Sequence, residues 1–523
     1  MALPSFNQIF SQEGFWSFGW PYRPQWVGLT PFSSPRVIAC CLFALSLELH
    51  LRWLGQPSEV VFDEVHFGKF ITGYGTGEYF FDVHPPLGKL MIAGIAGLAG
   101  VSPSHAFYRG GAPYLNNSYL WLRLWPGLFG SLLVPLIYLL TLRISRSRVA
   151  AAFAGLFVLL DNALLVESKF ILLDVFLLLF GFLAIYLFWQ SKLFFRDGKW
   201  RWWAACGSAI AAGLCVSIKW TGLGFWGLLL LFSSAILARQ ILKRETGRVQ
   251  IIFVTLMLVV VPLVLYVAFF YIHFALLPNP GPGNHLMTSR FASSQANGFP
   301  VRDFAANLWE LHRKMLSVHV SMFDHPYGSV WCTWPLMIRP LLYWQGSVAV
   351  GHGSVTPARI YLLGNPIIWV ICTLLTAIFL LSFTFRITTK GLRLWLTWPS
   401  LGTNASRKEN HGNTDVFLAI GYLVNWLPFA FISRVMFLYH YLTALIFSII
   451  IASIMLARLP RGRNSIRAGA TVLAFAGFLI VSPLTFGLPL NVQPLWVAEI
   501  TTLISNKLIF HPSSKTCFHC VSQ

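Results

Sequence analysis

Eleven apolar runs, each long enough to cross a bilayer as a helix, divide the chain almost from end to end. They lie at about 35–54, 123–143, 149–166, 170–190, 202–218, 220–238, 249–276, 363–385, 415–433, 435–457 and 468–490. A hydrocarbon core admits only segments whose backbone polar groups are satisfied internally, and roughly 20 apolar residues of helix provide that. The runs therefore predict an all-α polytopic membrane protein with about 11 transmembrane helices. Charged residues are only 11% of the 523, against about 25% in a soluble domain, which agrees.

The basic residues test the orientation independently. With the N-terminus cytoplasmic, the inner loops hold Arg143, Arg146 and Arg148; Lys192, Arg196, Lys199 and Arg201; Arg239, Lys243, Arg244 and Arg248; Arg386, Lys390, Arg393, Arg407 and Lys408; and Arg458, Arg461, Arg463 and Arg467. Five short loops thus carry 20 of the 38 Lys and Arg residues, as the positive-inside rule requires. The net charge of +20 is explained by this distribution, and a nucleic-acid partner is excluded. The N-terminal stretch lacks the basic and apolar regions of a cleaved signal, so the first run is expected to direct insertion.

Two segments, about 55–122 and 277–362, are too long and polar to be turns, and both fall outside the membrane in this topology. The first concentrates scarce acid: of 18 Asp and Glu residues, Glu59, Asp63, Glu64, Glu78 and Asp82 fall within 24 positions. Asp63 and Glu64, in VFDEVHFGKF, are flanked by Val61, Phe62, Val65 and Phe67. A solvated loop pair is the ordinary reading of two such carboxylates. Partial burial beside a like charge, however, raises a carboxylate pKa toward that of a base. Adjacent side chains diverge in helix or strand, which predicts one base and one positioning group rather than a joint site.

Other charged positions have two readings each. Arg123, opening the second run, either snorkels to the interface or meets a lipid phosphate with its planar fork. Asp174, early in a run, is either functional or paired with Lys169 or Arg123. Arg434 and His440, in SRVMFLYHYL, belong either to an interfacial belt or to a site. GYGTGEY, residues 73–79, matches no phosphate-binding pattern and reads as a flexible loop. The chain has no Asp-x-Asp to hold a metal on a nucleotide diphosphate, and the single CxxC, Cys517 and Cys520, is left unassigned.

Several blocks in order resemble the protein O-mannosyltransferase family: VFDEVHFGKF with FFDVHPPLGKL, RLWPGLFGSLLVPLIYLL, ESKFILLDVFLLLF, SIKWTGL, HPYGSVWCTWPLMIRP, LLGNPIIW and NWLPFAFISRVMFLYHYLTAL. The resemblance covers about residues 50–485. It implies the membrane glycosyltransferase fold called GT-C over residues 1–490, with 491–523 an unassigned extracytoplasmic tail. It carries the family's Asp-Glu pair onto Asp63 and Glu64, its later loop aspartate onto Asp82, and its second-span arginine onto Arg123. The second large loop has no room for the β-trefoil MIR domain of eukaryotic members. That implies the short bacterial form in a cell membrane, or the endoplasmic reticulum membrane if the chain is eukaryotic.

The activity so implied is transfer of mannose from a polyprenyl-phosphate-mannose carrier to Ser or Thr hydroxyls of a protein, on the extracytoplasmic side. Asp63 is then the general base and Glu64 orients acceptor or sugar. The leaving phosphate needs positive charge, first from Arg123, then from Arg434 and His440, with Asp82 and His84 also assigned to substrate binding. One base and no second nucleophile implies direct displacement with inversion, with no cofactor and no obligatory metal. Two rivals remain: a GT-C transferase acting on a lipid or polysaccharide acceptor, and a transporter or flippase. The second expects polar residues at midspan and internal repeats, which the sequence lacks. Nothing in the sequence sets the oligomeric state.

Overall fold

A computed structural model describes residues 34–101, 107–191, 201–242, 248–320, 325–350, 354–390 and 407–489. The N-terminal segment and the C-terminal CxxC lie outside the described residues. Helix is found within each of the eleven apolar runs. In chain order the helices are α1 (Pro35–Leu51), α2 (Glu64–Thr76), α3 (Leu87–Leu98), α4 (Tyr119–Ser145), α5 (Arg148–Leu159), α6 (Asn162–Lys169), α7 (Asp174–Gln190) and α8 (Trp202–Val216). They continue as α9 (Leu223–Leu242), α10 (Arg248–Ala275), α11 (Ser289–Ala296), α12 (Phe304–Val320), α13 (Pro366–Lys390), α14 (Arg407–Val424), α15 (Leu442–Arg458) and α16 (Asn464–Phe486).

Among the described residues, 7 helices are long and apolar enough to cross a membrane, or 8 if α5 and α6 form one bent span. Those two meet at 54°. The break is built by sequence: the Asp161 side chain accepts from Leu164 N at 3.0 Å and restarts the helix. It also accepts from Trp369 Nε1 at 2.7 Å, while Asn365 Nδ2 donates to Leu160 O at 3.0 Å. A single straight span over 149–166, as the apolar pattern suggested, is thus replaced by two half-helices whose interruption is satisfied by neighbouring protein.

Packing separates core from periphery. α15 is almost wholly buried, whereas α10 and α13 leave most of their apolar surface exposed, as lipid-facing helices do. α4 runs against α1, α5 and α7, and α8 lies between α7 and α10.

Both long polar segments are folded. In the first, α2 extends through Gly73–Thr76 and ends on Gly77 at φ 73°, a left-handed cap that favours glycine. GYGTGEY is therefore mostly a helix terminus rather than a flexible loop. The second segment holds α11, α12 and an antiparallel hairpin, β1 (Leu341–Val350) with β2 (Ser354–Leu362), which departs from the all-helical expectation. Its signal was present in the sequence. LLYWQGSVAV and SVTPARIYL are rich in aromatic and β-branched residues and flank Gly351-His352-Gly353.

Candidate active site

The Asp-Glu pair opens α2. Phe62, just before it, adopts φ 46°, a left-handed conformation costly for a bulky residue. Its ring is held by stacking on Tyr343 of β1 at 4.3 Å and by an edge contact with Tyr439 at 6.5 Å. The turn sends the next two side chains apart, as their adjacency predicted. Asp63 is half-buried beside the helix start, and Glu64 points into the core.

Glu64 is wholly buried and fully engaged. Its carboxylate accepts from Arg123 Nε and Nη2, both at 2.8 Å, from Val61 N at 2.8 Å, from Tyr114 Oη at 3.0 Å and from Ile171 N at 3.1 Å. Burial and the neighbouring carboxylate drive the Tyr114 phenol far above its ordinary value, so it remains a donor. Arg123 is equally committed. Nη1 donates to Pro57 O at 2.7 Å and Leu54 O at 3.4 Å, and Nη2 also donates to Glu59 O at 2.8 Å. All five N–H groups are taken, and the guanidinium lies within 5.4 Å of the Tyr114, Tyr119 and Phe170 ring centres. This corrects two expectations. Arg123 neither snorkels nor presents donors to a phosphate, and Glu64 has no acceptor capacity turned toward a substrate. Together they staple the first polar segment to α4.

Asp63 has a different environment. Burial raises its carboxyl above the ordinary aspartate value; His66 and Lys219 draw it back, and Asp174 and Asp82 push it further up. Asp82 is ion-paired with Lys89, whose ammonium also donates to His84 O at 2.7 Å.

Lys219 and Asp174, whose charges act on Asp63, line a cavity of about 560 Å³. Its polar wall comprises His84, Asp174, Lys219, Arg434, Tyr439 and His440, and much of the remainder is apolar, including Leu177, Leu223, Leu228, Val424 and Ile432. Lys219 pairs with Asp174, correcting the expectation of Lys169 or Arg123 as the partner. Lys169 instead donates to Arg52 O at 3.1 Å. Arg434 Nη2 lies 3.4 Å from His440 Nε2, and the imidazole stacks on Tyr439 at 4.5 Å. Asp174 offsets Lys219, so Arg434 leaves that wall with excess positive charge. Three buried atoms of the lining, Asn425 Oδ1, Thr221 Oγ1 and Arg434 Nε, have no hydrogen-bond partner among the described residues. Among those residues no three of His, Cys, Asp and Glu converge as a metal site.

Of the predicted site residues, His84, Arg434 and His440 line this cavity, Asp63 and Asp82 stand within electrostatic reach of its Lys219 without lining it, and Glu64 and Arg123 are bound into the core instead. Lys219 was overlooked as a site residue. It is the sole charge between Trp202 and Ala238, and a lone lysine between two spans is itself a signal.

This helical frame is shared with solved proteins. The Saccharomyces cerevisiae protein O-mannosyltransferase Pmt1–Pmt2 complex bound to the sugar donor superposes with a TM-score of 0.75, covering 92% of this chain and 94% of that one at 20% identity. An archaeal oligosaccharyltransferase from Archaeoglobus fulgidus gives 0.51 at 12% identity. The fold is the GT-C fold of membrane glycosyltransferases. Residues 40–278 match the family described as dolichyl-phosphate-mannose-protein mannosyltransferase, and residues 304–500 match the C-terminal four-helix region of protein O-mannosyltransferase. The chain belongs to the protein O-mannosyltransferase family. It is 36% identical over 272 residues to protein O-mannosyltransferase 1 of Drosophila melanogaster (49% of this chain, 30% of that protein). It is 33% identical over 268 residues to dolichyl-phosphate-mannose–protein mannosyltransferase 1 of Saccharomyces cerevisiae (50% and 33%). Each match spans about a third of the relative's length.

Proposed function

We propose that the chain transfers mannose from a polyprenyl-phosphate-mannose carrier to Ser or Thr hydroxyls of a protein. The observation that carries this reading is the half-buried Asp63 carboxylate within electrostatic reach of Lys219 and Asp174, which line a cavity with a cationic wall and an apolar remainder. Such a cavity suits a phosphate on a lipid tail, and the family membership supports the choice of sugar and acceptor.

In this mechanism Asp63 takes the hydroxyl proton as the acceptor oxygen attacks the anomeric carbon. The bond to the phosphate oxygen breaks, and the lipid phosphate leaves with the electron pair. It needs no proton at that moment, only positive charge held ready in a water-poor site. Lys219 and Arg434 supply that charge, in place of Arg123, with His440 beside Arg434 as a polar partner. Glu64 acts at one remove, holding the turn that aims Asp63. A single base without a nucleophile beside it gives inversion. The five basic loops support an extracytoplasmic site and a cytoplasmic N-terminus, in a cell membrane if the chain is bacterial and in the endoplasmic reticulum if eukaryotic.

The test is a transfer assay with purified protein, polyprenyl-phosphate-mannose and a Ser/Thr peptide, comparing wild type with Asp63→Asn. Mannosylated peptide from wild type alone is the expected result. Normal turnover by the variant sinks the assignment of the base, and sugar appearing on lipid but not peptide moves the protein to the lipid-acceptor class.

A further inference from the structure

The mechanism uses nothing from α12, yet hydrogen bonds tie that helix to the cavity wall. Leu308, Leu311, His312 and Met315 recur at helical spacing and give α12 one inward stripe. Leu311 and Met315 share a buried cluster with Phe270 and Phe274 of α10, and Leu308 packs against it. His312 is the polar member of the stripe. Its ring centre is 4.9 Å from that of Phe270, and its Nε2 is 2.7 Å from Tyr266 Oη of α10. Tyr266 Oη also accepts from Trp220 Nε1 at 2.9 Å. Trp220 lies in the turn between α8 and α9 and lines the cavity, as does Lys219 before it.

The direction of this chain follows from the groups in it. An indole N–H can only donate, so the Tyr266 oxygen accepts from it. His312 Nδ1 is 2.8 Å from Leu308 O, which can only accept, so Nδ1 carries the hydrogen. In the neutral ring the bare Nε2 then accepts the Tyr266 O–H. Burial lowers the His312 pKa below its ordinary value, which keeps the ring neutral at pH 7. Trp220, Tyr266 and His312 thus each donate to the next acceptor in one unbroken series.

The turn is also held from the side of α8. Gly222 N donates to Lys219 O at 2.9 Å, and a Cβ on Gly222 would stand 2.8 Å from the Cys215 carbonyl. Two sequence neighbours are therefore set on the cavity wall by different partners, Lys219 by Asp174 and Trp220 by α10 and α12. Beyond them Leu223, Gly224, Gly227 and Leu228 continue the wall along α9 without a polar side chain.

We propose that His312 is a positioning residue for donor binding, and that through Tyr266 it fixes the Trp220 indole against the hydrocarbon adjoining the donor phosphate. The inference rests on the reading of the cavity as a lipid-phosphate-sugar site. Trp220 follows the ammonium that meets the phosphate and precedes the apolar wall, which places its flat ring on the lipid side of that phosphate. With the chain broken, the ring must be ordered by the ligand, a cost that a preorganised site avoids.

The probes are a short-chain polyprenyl-phosphate-mannose and the same polyprenyl phosphate without sugar. Their Kd values are measured on the full chain in nanodiscs, with the kinetics of transfer to a Ser/Thr peptide and the melting temperature alongside. Tyr266→Phe removes one oxygen. It should weaken both ligands roughly fivefold, the size of one lost hydrogen bond. The donor KM should rise with the Kd, while kcat and the peptide KM stay at their wild-type values. His312→Leu should match it, and His312→Gln, which keeps an acceptor near the place of Nε2, should recover most of the affinity. In a Trp220→Phe background there is no indole N–H to hold, so adding Tyr266→Phe should change little.

Tyr266→Phe and His312→Leu that lower only the melting temperature, with both Kd values unchanged, make the chain purely structural and overturn the proposal. Full additivity of Tyr266→Phe with Trp220→Phe overturns it as well. A loss confined to the mannose-bearing probe puts the indole on the sugar and overturns the assignment to the lipid. Should His312→Leu not fold, Tyr266→Phe and its combination with Trp220→Phe decide. If wild-type protein binds neither probe, the reading of the cavity itself fails, a result distinct from any of these.

Discussion

Removing Arg123 should unfold the protein rather than weaken its grip on a donor. The guanidinium and the Glu64 carboxylate are both fully buried and share two hydrogen bonds of 2.8 Å. Deleting one partner of such a pair costs about 3–5 kcal/mol, because the other is left as an uncompensated buried charge. The carbonyls of Leu54, Pro57 and Glu59 lose a donor as well, at about 1 kcal/mol each. The sum matches much of the roughly 5–15 kcal/mol that holds a typical fold together. Arg123→Leu and Glu64→Leu should each lower the melting temperature by roughly 10 °C or more. Arg123→Lys keeps the charge but not the planar five-donor fork, so it should fall between them and wild type.

The double variant Glu64→Leu/Arg123→Leu should be destabilised by less than the sum of the two, since no lone charge remains. Recovery will be partial, because Val61 N, Ile171 N and the three carbonyls stay without partners. Melting curves in detergent measure the stability, and donor affinity is read in parallel on protein that remains folded. An Arg123→Leu variant that melts like wild type yet fails to bind donor refutes the reasoning, for it places the arginine on the ligand.

Four further outcomes follow from the same geometry. Asp63→Asn should lower kcat by at least about a hundredfold while leaving the donor KM near its original value, as loss of a general base does. Because burial raises the Asp63 carboxyl and the base must be ionised, activity should fall as pH drops through a limb above the ordinary value of 3.8; removing His66, which draws that carboxyl down, should move the limb higher still. Lys219→Gln and Arg434→Gln should each raise the donor KM, by roughly tenfold or more for a lost charge-assisted contact, visible in initial rates against donor concentration. Dialysis against EDTA should leave turnover unchanged, and loss restored by Mg²⁺ or Mn²⁺ would contradict that.

What the sequence disclosed, and what it hid, follows the range of the interactions. Helix in the apolar runs depends on composition over some 20 neighbouring residues, so all eleven runs were legible. The divergence of Asp63 and Glu64 was legible too, because adjacent side chains point apart in any regular backbone. The partners were not. Glu64 and Arg123 stand 59 residues apart and Asp174 and Lys219 45 apart, and no local pattern links them. An arginine near a helix end is thus assigned equally well to lipid phosphate or to an internal carboxylate. The two roles differ only in whether a partner waits inside. The Asp161 break escaped for a related reason: Asp-Asn within an apolar stretch marks a cap only if neighbours such as Trp369 and Asn365 can satisfy it, and those lie over 200 residues away.

The different roles proposed for Arg123 and Lys219 have a physical basis. A group that must grip a phosphate and then let it go cannot have every donor committed, and Arg123 has all five in use. Lys219 is an ammonium on a flexible stem with one carboxylate partner at the cavity surface, so it can divide its donors between Asp174 and a ligand. The hairpin completes the arrangement. Tyr343 donates to Glu167 at 2.5 Å, and the same ring stacks on Phe62 ahead of Asp63. One residue of the second long polar segment therefore contacts both the buried carboxylate at the end of α6 and the turn that bears Asp63. That coupling explains why a polar segment nearly 300 residues downstream belongs to the site opened by VFDEVHFGKF.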